Sequence, residues 1–228
     1  MPTLTVLAAA VVLAFGACSQ AQNSPATAEA DAGDATPAQT APLTTAAPDE
    51  SLPVAYFAGG CFWCTEASFE RIRGVQAVVS GYSGGPETDP TYKQVASGQT
   101  GHAEAIAIYY DSSVVDFPTL LDVFYVAHDG TQLNRQGPDV GPQYRSAIFY
   151  RNEAERVLAE AAIAELEADG YGDIVTELAP FARFYPAEDY HQGYYELNPR
   201  QSYVYNVSRP KVEKVEKRFA ELLKEPYR

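Results

Sequence analysis

The chain has 228 residues, 46% of them hydrophobic and 12% aromatic, and a formal net charge of −14 at pH 7. This negative charge argues against a nucleic-acid partner and against adhesion to anionic lipid, because phosphate groups repel carboxylates. Three cysteines and three histidines are too few and too scattered to indicate a zinc site, so no metal or organic cofactor is expected.

The chain begins with a short apolar run that ends at a cysteine. Residues 4–15 are too few to span a bilayer as a permanent helix, and Gly16, Ala17 and Cys18 follow them. This pattern predicts a signal peptide over residues 1–18 and resembles a bacterial lipoprotein signal, in which Cys18 is lipidated. An ordinary cleaved signal is the alternative. Either signal predicts an exported protein of the periplasm or cell envelope, with membrane attachment only through a lipid anchor.

A polar, low-complexity stretch separates this signal from the rest of the chain. Residues 19–53 are mainly Ala, Thr, Pro, Gln, Asp and Glu, with almost no large apolar side chains. Such a composition cannot bury enough surface to offset its ordering entropy, which predicts a disordered linker. The remaining residues, 54–228, suffice for one domain with a substantial core.

Two cysteines open the first predicted helix of this domain. A strand over residues 54–58 leads through Gly59 and Gly60 to a half-buried helix over residues 62–73. Cys61 therefore lies at a helix N-terminus, where unpaired N–H groups and the helix dipole stabilise a thiolate. We expect its pKa to fall below the usual value of about 8.5.

The second cysteine, Cys64, follows one helical turn after Cys61, close enough for a disulfide. A structural disulfide or half of a zinc site are the alternatives to a redox pair. A disulfide that closes so small a loop stabilises little, and the other zinc ligands are lacking. The spacing therefore favours a redox pair.

The rest of the domain alternates between strand and helix patterns, with Asp116 and Asn152 as helix caps. A long polar segment over residues 128–143 is predicted to be a functional loop, and residues 187–197 a short aromatic helix or loop. Several connections are too short for parallel crossovers, which predicts a mixed sheet packed by helices, a two-layer α/β sandwich. The predicted strands are 75–79, 105–110, 144–150 and 174–178, and the helices are 117–127, 153–168 and 212–223.

Eight short motifs follow one another through the domain. They are GCFW at 60–63, GYSGG at 81–85, GHAE at 101–104, HD at 128–129, NRQG at 134–137, DVG at 139–141, QYRS at 143–146 and PAEDYHQ at 186–192. Together the motifs resemble the family of peptide methionine sulfoxide reductases of the A type, which act on the S epimer. The resemblance runs from about Val54 to Tyr203 and implies an α/β (α+β) fold with a ferredoxin-like core.

The resemblance implies a role for five side chains. Cys61 would attack the sulfoxide sulfur, a reaction that needs a soft thiolate nucleophile. Glu104 would give a proton to the sulfoxide oxygen, and an apolar surround would have to raise its pKa. Tyr82 and Tyr144 would bind that oxygen, and Asp139 would order the site. A surface carboxylate, two half-buried core tyrosines and a turn carboxylate are the structural alternatives.

Two aromatic side chains next to the nucleophile, Phe62 and Trp63, are candidate walls for the methyl group of the oxidised methionine. Ordinary core packing is the alternative for both.

The chain departs from the family pattern at Cys64. Many members have Gly there and resolve the oxidised enzyme with cysteines near the C-terminus, but this chain has no cysteine after Cys64. Our hypothesis is that Cys61 becomes a sulfenic acid, that Cys64 condenses with it to a disulfide, and that a thioredoxin-like dithiol reduces this disulfide. The substrates would be oxidised proteins, peptides and free methionine sulfoxide, so the protein would repair oxidative damage.

Two other functions remain open at this point. A general thiol–disulfide oxidoreductase of the thioredoxin kind would explain the cysteine pair, but it leaves Glu104, Tyr82 and Tyr144 without a role. A non-catalytic lipoprotein that binds methionine-rich or oxidised proteins would not need the Cys61 thiol.

Overall fold

The computed structural model describes residues 48–227. The predicted signal peptide, with Cys18, and nearly all of the predicted linker lie outside the described residues. Within residues 48–227, none of the helices combines the length and the hydropathy needed to cross a membrane.

The described residues form eight strands and six α-helices. The strands are β1 (Val54–Gly59), β2 (Val75–Ser83), β3 (Ala103–Tyr110), β4 (Arg135–Gln136), β5 (Asp139–Val140), β6 (Ser146–Tyr150), β7 (Glu177–Pro180) and β8 (Phe184–Pro186). The helices are α1 (Phe62–Glu70), α2 (Tyr92–Ala96), α3 (Phe117–Ala127), α4 (Glu153–Ala168), α5 (Tyr194–Leu197) and α6 (Arg209–Arg218).

One mixed six-stranded sheet, in the order β7-β6-β1-β3-β2-β8, carries the fold. Its centre is the antiparallel set β6-β1-β3-β2, while β7 joins β6 in parallel and β8 extends the other edge. The segments β1-α1-β2 and β3-α3-β6 therefore make a βαββαβ unit of the ferredoxin-like kind. The predicted two-layer sandwich is confirmed, and a small β4-β5 hairpin is inserted before β6.

The main core lies between the sheet and its helices. Along β1 the side chains alternate between the two faces of the sheet, so Phe57 points at the helices and Tyr56 away from them. Phe57 is 1% exposed, and its ring lies 4.9 Å from that of Phe124 on α3. Burying a side chain of this size contributes about 2–3 kcal/mol. On the opposite face Tyr56 stacks on Phe181 at 4.0 Å, which closes a smaller second cluster.

Two helices begin and end as predicted because their caps are local. The Asp116 carboxylate accepts the Thr119 N–H at the start of α3, and the Asn152 side chain accepts the Glu155 N–H at the start of α4. Each cap satisfies a backbone donor that the first helical turn leaves unpaired.

The first helix is shorter than predicted, since α1 ends at Glu70 instead of residue 73. Ile72 forms a bridge with Leu223, and the Arg73 N–H donates to the Leu222 carbonyl at 2.8 Å. These contacts with the C-terminal segment take the backbone groups that a longer helix would have used, so a tertiary interaction sets the helix end.

The last helix, α6, starts three residues earlier than predicted, and one turn of π-helix over Val204–Ser208 precedes it. Such π turns are rare and often lie at functional sites. Between β2 and β3 lies α2, which is not among the predicted helices, and a capping box between Thr91 and Gln94 fixes its start.

Candidate active site

Cys61 is the N-cap residue of α1, directly after β1, as predicted. Gly60 makes this junction because its φ is +88°, and an added Cβ there would lie 2.5 Å from the Gln136 Cβ. Gln136 fixes the loop below by accepting the Asp129 N–H and by donating to the Asp129 carbonyl. Cys61 is 6% exposed, so the candidate nucleophile is almost completely buried.

The expected low pKa of Cys61 is wrong. Burial raises the pKa of this thiol well above its usual value, and the neighbouring Cys64 thiol, Glu104 and Asp139 raise it further. The helix N-terminus alone would favour a thiolate, but desolvation and two nearby carboxyl groups outweigh it. The Cys61 thiol of the free protein is therefore neutral at pH 7.

Cys64 has different surroundings, although it is also buried, at 1% exposed. Both cysteines are free thiols, and the Cys64 Sγ donates to the Ser208 Oγ at 3.2 Å. A hydrogen bond with Cys61 lowers the pKa of Cys64 to about 7, and Lys211 and Ser208 act in the same direction. The Cys64 thiol therefore ionises more readily than the Cys61 thiol, although the two residues lie one helical turn apart.

Glu104 lies on β3, is 2% exposed and accepts the Phe62 N–H at 3.1 Å through its Oε2. Burial raises the pKa of this carboxyl group to about 8, and the nearby Asp139 and Cys64 raise it as well. The direction agrees with the sequence expectation for a proton donor. At neutral pH, Glu104 is therefore a carboxylic acid beside the first turn of α1 and the Cys61 thiol.

Within residues 48–227, Tyr144 and Tyr92 have phenol groups that interact electrostatically with both Glu104 and Cys61. The charges of Glu104 and Cys61 raise the pKa of each of them, after the larger effect of burial. Tyr144 was predicted from the QYRS motif, whereas Tyr92, in the first turn of α2, was not.

Tyr82 was predicted to bind the sulfoxide oxygen through its hydroxyl, but in the structure this hydroxyl has another partner. It lies on β2 opposite Glu104, is fully buried, and its hydroxyl donates to the Glu188 Oε2 at 2.9 Å. The Glu188 Oε1 accepts the Tyr92 N–H at 2.9 Å. The hydroxyl of Tyr82 is therefore engaged behind the site, where it helps to hold α2. The geometry favours Tyr92 for the oxygen-binding role that the sequence assigned to Tyr82.

Asp139 reaches the site from β5 in the inserted hairpin. Its Oδ2 accepts a hydrogen bond from the hydroxyl of Tyr203, which lies directly before the π turn. Burial raises the pKa of this carboxyl group, while Tyr203 and Lys211 oppose the rise. Asp139 thus joins the inserted hairpin to the C-terminal segment.

The two predicted aromatic walls are not equivalent. Phe62 is 1% exposed and packs against Tyr82, Tyr92 and the His191 ring, so it belongs to the core below the site. Trp63 is only half-buried, stacks on Tyr194 at 3.8 Å and donates from its Nε1 to the His191 Nδ1 at 3.1 Å. Trp63 is therefore the better candidate for contact with a substrate methyl group.

Three parts of the site were not predicted from the sequence: Tyr92, His191 and the residues after Tyr203. Tyr92 follows Thr91, whose capping box with Gln94 could have indicated a helix start in the supposed loop. His191 lies inside the quoted PAEDYHQ motif without a role assigned to it. The residues after Tyr203 offered no signal, because the π turn that brings Ser208 to Cys64 has no sequence pattern of its own.

Among residues 48–227, no three His, Cys, Asp or Glu side chains are placed to hold a metal ion. The groups that meet here are two thiols, a carboxylic acid and two phenols. This set can transfer an oxygen atom to sulfur, because it combines a soft nucleophile with hydrogen-bond donors for the departing oxygen.

Comparison with known proteins agrees with this chemistry. The family model for peptide methionine sulfoxide reductase matches residues 53–223. A peptide methionine sulfoxide reductase MsrA of Acinetobacter baumannii is 54% identical over 170 residues, which are 75% of this chain and 98% of that protein. The MsrA of Natronomonas pharaonis is 53% identical over 165 residues, which are 72% of this chain and 93% of that protein.

Solved structures give the same result. Reduced Mxr1 of Saccharomyces cerevisiae superimposes with a TM-score of 0.62 at 34% identity, over 68% of this chain and 90% of that one. Methionine sulfoxide reductase A of Corynebacterium diphtheriae gives 0.60 at 36% identity, over 66% and 77% of the two chains. The chain belongs to the family of peptide methionine sulfoxide reductases of the A type.

Proposed function

We propose that this chain reduces the S epimer of methionine sulfoxide by passing the sulfoxide oxygen to the sulfur of Cys61. The observation that carries the proposal is the buried carboxylic acid of Glu104 next to the Cys61 thiol, at the N-terminus of α1. Family membership supports the reaction and its stereochemistry.

In the first step the sulfoxide oxygen accepts hydrogen bonds from the Glu104 carboxylic acid and the phenols of Tyr92 and Tyr144. This polarises the S–O bond, and Cys61 attacks the sulfoxide sulfur as its proton leaves. The oxygen and the thiol proton end on Cys61 as a sulfenic acid, and the substrate leaves as methionine. Cys61 is oxidised and the methionine sulfur is reduced, with no electrons left over.

In the second step Cys64 attacks the sulfenic acid of Cys61. A sulfur–sulfur bond forms, the sulfur–oxygen bond breaks, and the oxygen leaves with two protons as water. Cys64 is one helical turn away and already buried beside Cys61, so this step needs no large rearrangement. The disulfide is then reduced by a dithiol donor, for which we propose a thioredoxin-like protein.

We also propose that the protein acts outside the cytoplasm, where it repairs oxidised proteins of the cell envelope. The support is the apolar run over residues 4–15 before Cys18 and the polar composition of residues 19–53, which suit an anchor and a tether for a domain over residues 54–228. Thiols in exported compartments tend to be oxidised, so such a location would require a reductant delivered across the membrane.

The test uses separate S and R epimers of a methionine sulfoxide peptide with dithiothreitol as reductant. We expect the wild type to consume the S epimer only and Cys61→Ser to consume neither. With thioredoxin as reductant, Cys64→Ser should release one methionine per enzyme and then stop.

Each outcome bears on one part of the proposal. If the folded protein reduces disulfides but consumes neither epimer, the proposed sulfoxide reduction is wrong and the chain is a thiol–disulfide oxidoreductase. Continued thioredoxin-dependent turnover by Cys64→Ser would leave the oxygen transfer in place and remove the resolving role of Cys64.

A further inference from the structure

The two thiols of the pair share burial and the nearby Asp139, but their other charged neighbours differ. Cys61 has the carboxyl groups of Glu104 and Asp139 near it, and both raise its pKa. Cys64 has the ammonium group of Lys211 near it and the Ser208 hydroxyl at 3.2 Å, which can turn to donate to a thiolate; both lower its pKa, against burial and Asp139. An anion is therefore disfavoured at the first sulfur and favoured at the second, although only one turn of helix separates them.

Lys211 is an unusual lysine because its Nζ is buried and has no hydrogen-bond partner among the described residues. Its helix, α6, packs against α1 and α3 with Val212 and Val215 fully buried, which holds Lys211 at the inner side of the site. Burying an unpaired ammonium group is costly. The nearby Asp139 carboxyl group offsets part of this cost, and an anion that forms on Cys64 during turnover would offset more of it.

Ser208 is also fully buried, and it is the last residue of the π turn that leads into α6. The extra residue of this turn places Tyr203 on Asp139 and Ser208 on Cys64 within one short segment. One irregular turn thus gives the resolving sulfur its hydroxyl neighbour and brings the helix of Lys211 against the site.

We propose that Lys211, assisted by Ser208, is a positioning residue that makes Cys64 the anionic sulfur of the pair in both half-reactions. Cys64 then attacks the Cys61 sulfenic acid as a thiolate, and it leaves as a thiolate when the Cys61–Cys64 disulfide is reduced. The inference rests on the resolving role of Cys64 in the proposed function.

The second half-reaction follows from the choice of leaving group. A reductant thiolate attacks one sulfur of the disulfide and expels the other, and the better-stabilised thiolate leaves faster. With Lys211 beside Cys64, the reductant bonds to Cys61 and Cys64 departs as the thiolate. The second thiolate of the reductant then attacks its own sulfur in the mixed disulfide and frees Cys61, which takes up a proton. Exposure favours the same order of attack, since Cys61 is the more accessible residue at 6% against 1% for Cys64.

The charged groups that face Cys64 come from four elements. They are the Cys61 thiol at the start of α1, Glu104 on β3, Asp139 on β5 and Lys211 on α6, together with the phenol of Tyr203 before the π turn. Lys211 is the single cation of this set, so its removal changes the charge balance at Cys64 in one direction.

The first test measures disulfide formation against pH after one equivalent of methionine sulfoxide is added to reduced enzyme. Methionine release is measured as the internal reference, and free thiols are counted after an acid quench. We expect Lys211→Met to move the pH midpoint for loss of the second thiol upward by about one unit. From a pKa of about 7 in the wild type, this change lowers the thiolate fraction at pH 7 about fivefold. The higher basicity of the remaining thiolate returns part of the rate, so disulfide formation slows about twofold.

Two variants are the controls. Lys211→Arg should restore the wild-type midpoint because it keeps the cation, and Lys217→Met removes an exposed charge from the same helix and should change nothing. An unchanged midpoint in folded Lys211→Met would overturn the role of Lys211. A wild type that releases methionine but loses only one thiol, that of Cys61, would instead refute the resolving role of Cys64, and the inference with it.

The second test traps the mixed disulfide with a thioredoxin whose second active-site cysteine is replaced by serine. Peptide mass spectrometry of the trapped complex should find the thioredoxin on Cys61 in the wild type. In Lys211→Met a larger share should be found on Cys64. Trapping on Cys64 in the wild type would overturn the inferred direction of attack.

Discussion

The buried carboxylic acid offers a direct measure of the proposed chemistry. Burial moves the pKa of Glu104 from its usual value of 4.5 to about 8. At about 1.4 kcal/mol for each pKa unit, this change corresponds to about 5 kcal/mol between the protonated and the ionised forms. The carboxyl group is 2% exposed, so solvent screening reduces this value little. The perturbation that we consider is Glu104→Gln, which keeps a hydrogen-bonding amide and removes the titration.

The sign of the stability effect follows from proton linkage. Between pH 4.5 and 8 the folded protein holds the Glu104 proton and the unfolded chain releases it, so stability falls as pH rises through this window. The stabilisation is complete below the unfolded pKa and is lost by about pH 8. Glu104→Gln has no carboxyl group to ionise, so its stability does not fall for this reason. Its free energy of unfolding, measured relative to that of the wild type, should therefore rise by about 3 kcal/mol from pH 4 to pH 7.

The catalytic effect should have the opposite sign. Without a transferable proton, Glu104→Gln should release methionine about 100-fold more slowly in a single turnover. The wild-type rate should fall as pH rises through about 8, where Glu104 ionises, and the rate of the variant should show no such fall. Urea unfolding at several pH values and rapid-quench assays measure the two effects on the same samples. A variant with the wild-type pH profile, or one whose stability tracks the wild type at every pH, would refute the assignment of Glu104 as the buried acid.

Three further results are expected. Tyr92→Phe should lower kcat/KM about tenfold or more, and Tyr82→Phe should lower it less, because we assign the oxygen-binding role to Tyr92. Equal losses in the two variants would contradict this assignment. Burial lowers the pKa of His128 from 6.5 to about 4. As pH falls, the imidazole is therefore protonated in the unfolded chain before it is protonated in the folded protein, and stability decreases. Urea midpoints should show about 3 kcal/mol of stability lost between pH 6.5 and 4, and His128→Gln should show less of this loss. Gly60→Ala should cost about 3 kcal/mol in thermal unfolding, because the position has a φ of +88° and the new Cβ would meet Gln136; a cost below about 1 kcal/mol would contradict this.

Local signals were sufficient for much of the fold. The cap residues Asp116 and Asn152 gave the starts of α3 and α4 because a cap acts within three residues of itself. The alternation of strands and helices led to the two-layer sandwich, and the comparisons confirm the predicted family and reaction.

What the sequence could not give depends on distant contacts. Helix α1 ends early because Leu223 of the C-terminal segment pairs with Ile72, and no sequence pattern near residue 72 predicts this pairing. The pKa of Cys61 was predicted from the helix N-terminus alone, but the carboxyl groups that reverse its direction come from β3 and β5. The motif around Tyr82 indicated a tyrosine near the site, yet only the structure shows that its hydroxyl is engaged by Glu188.

The chain contains a single tryptophan, Trp63, and it lies between the two thiols, stacked on Tyr194 and hydrogen-bonded to His191. The indole emission of the protein therefore comes entirely from the redox centre. Chemical change at Cys61 or Cys64 therefore takes place beside the one indole of the chain, and excitation at wavelengths that tyrosine does not absorb leaves no other tryptophan as background. The enzyme in this way contains its own optical reporter, which can follow each half-reaction in real time without a label.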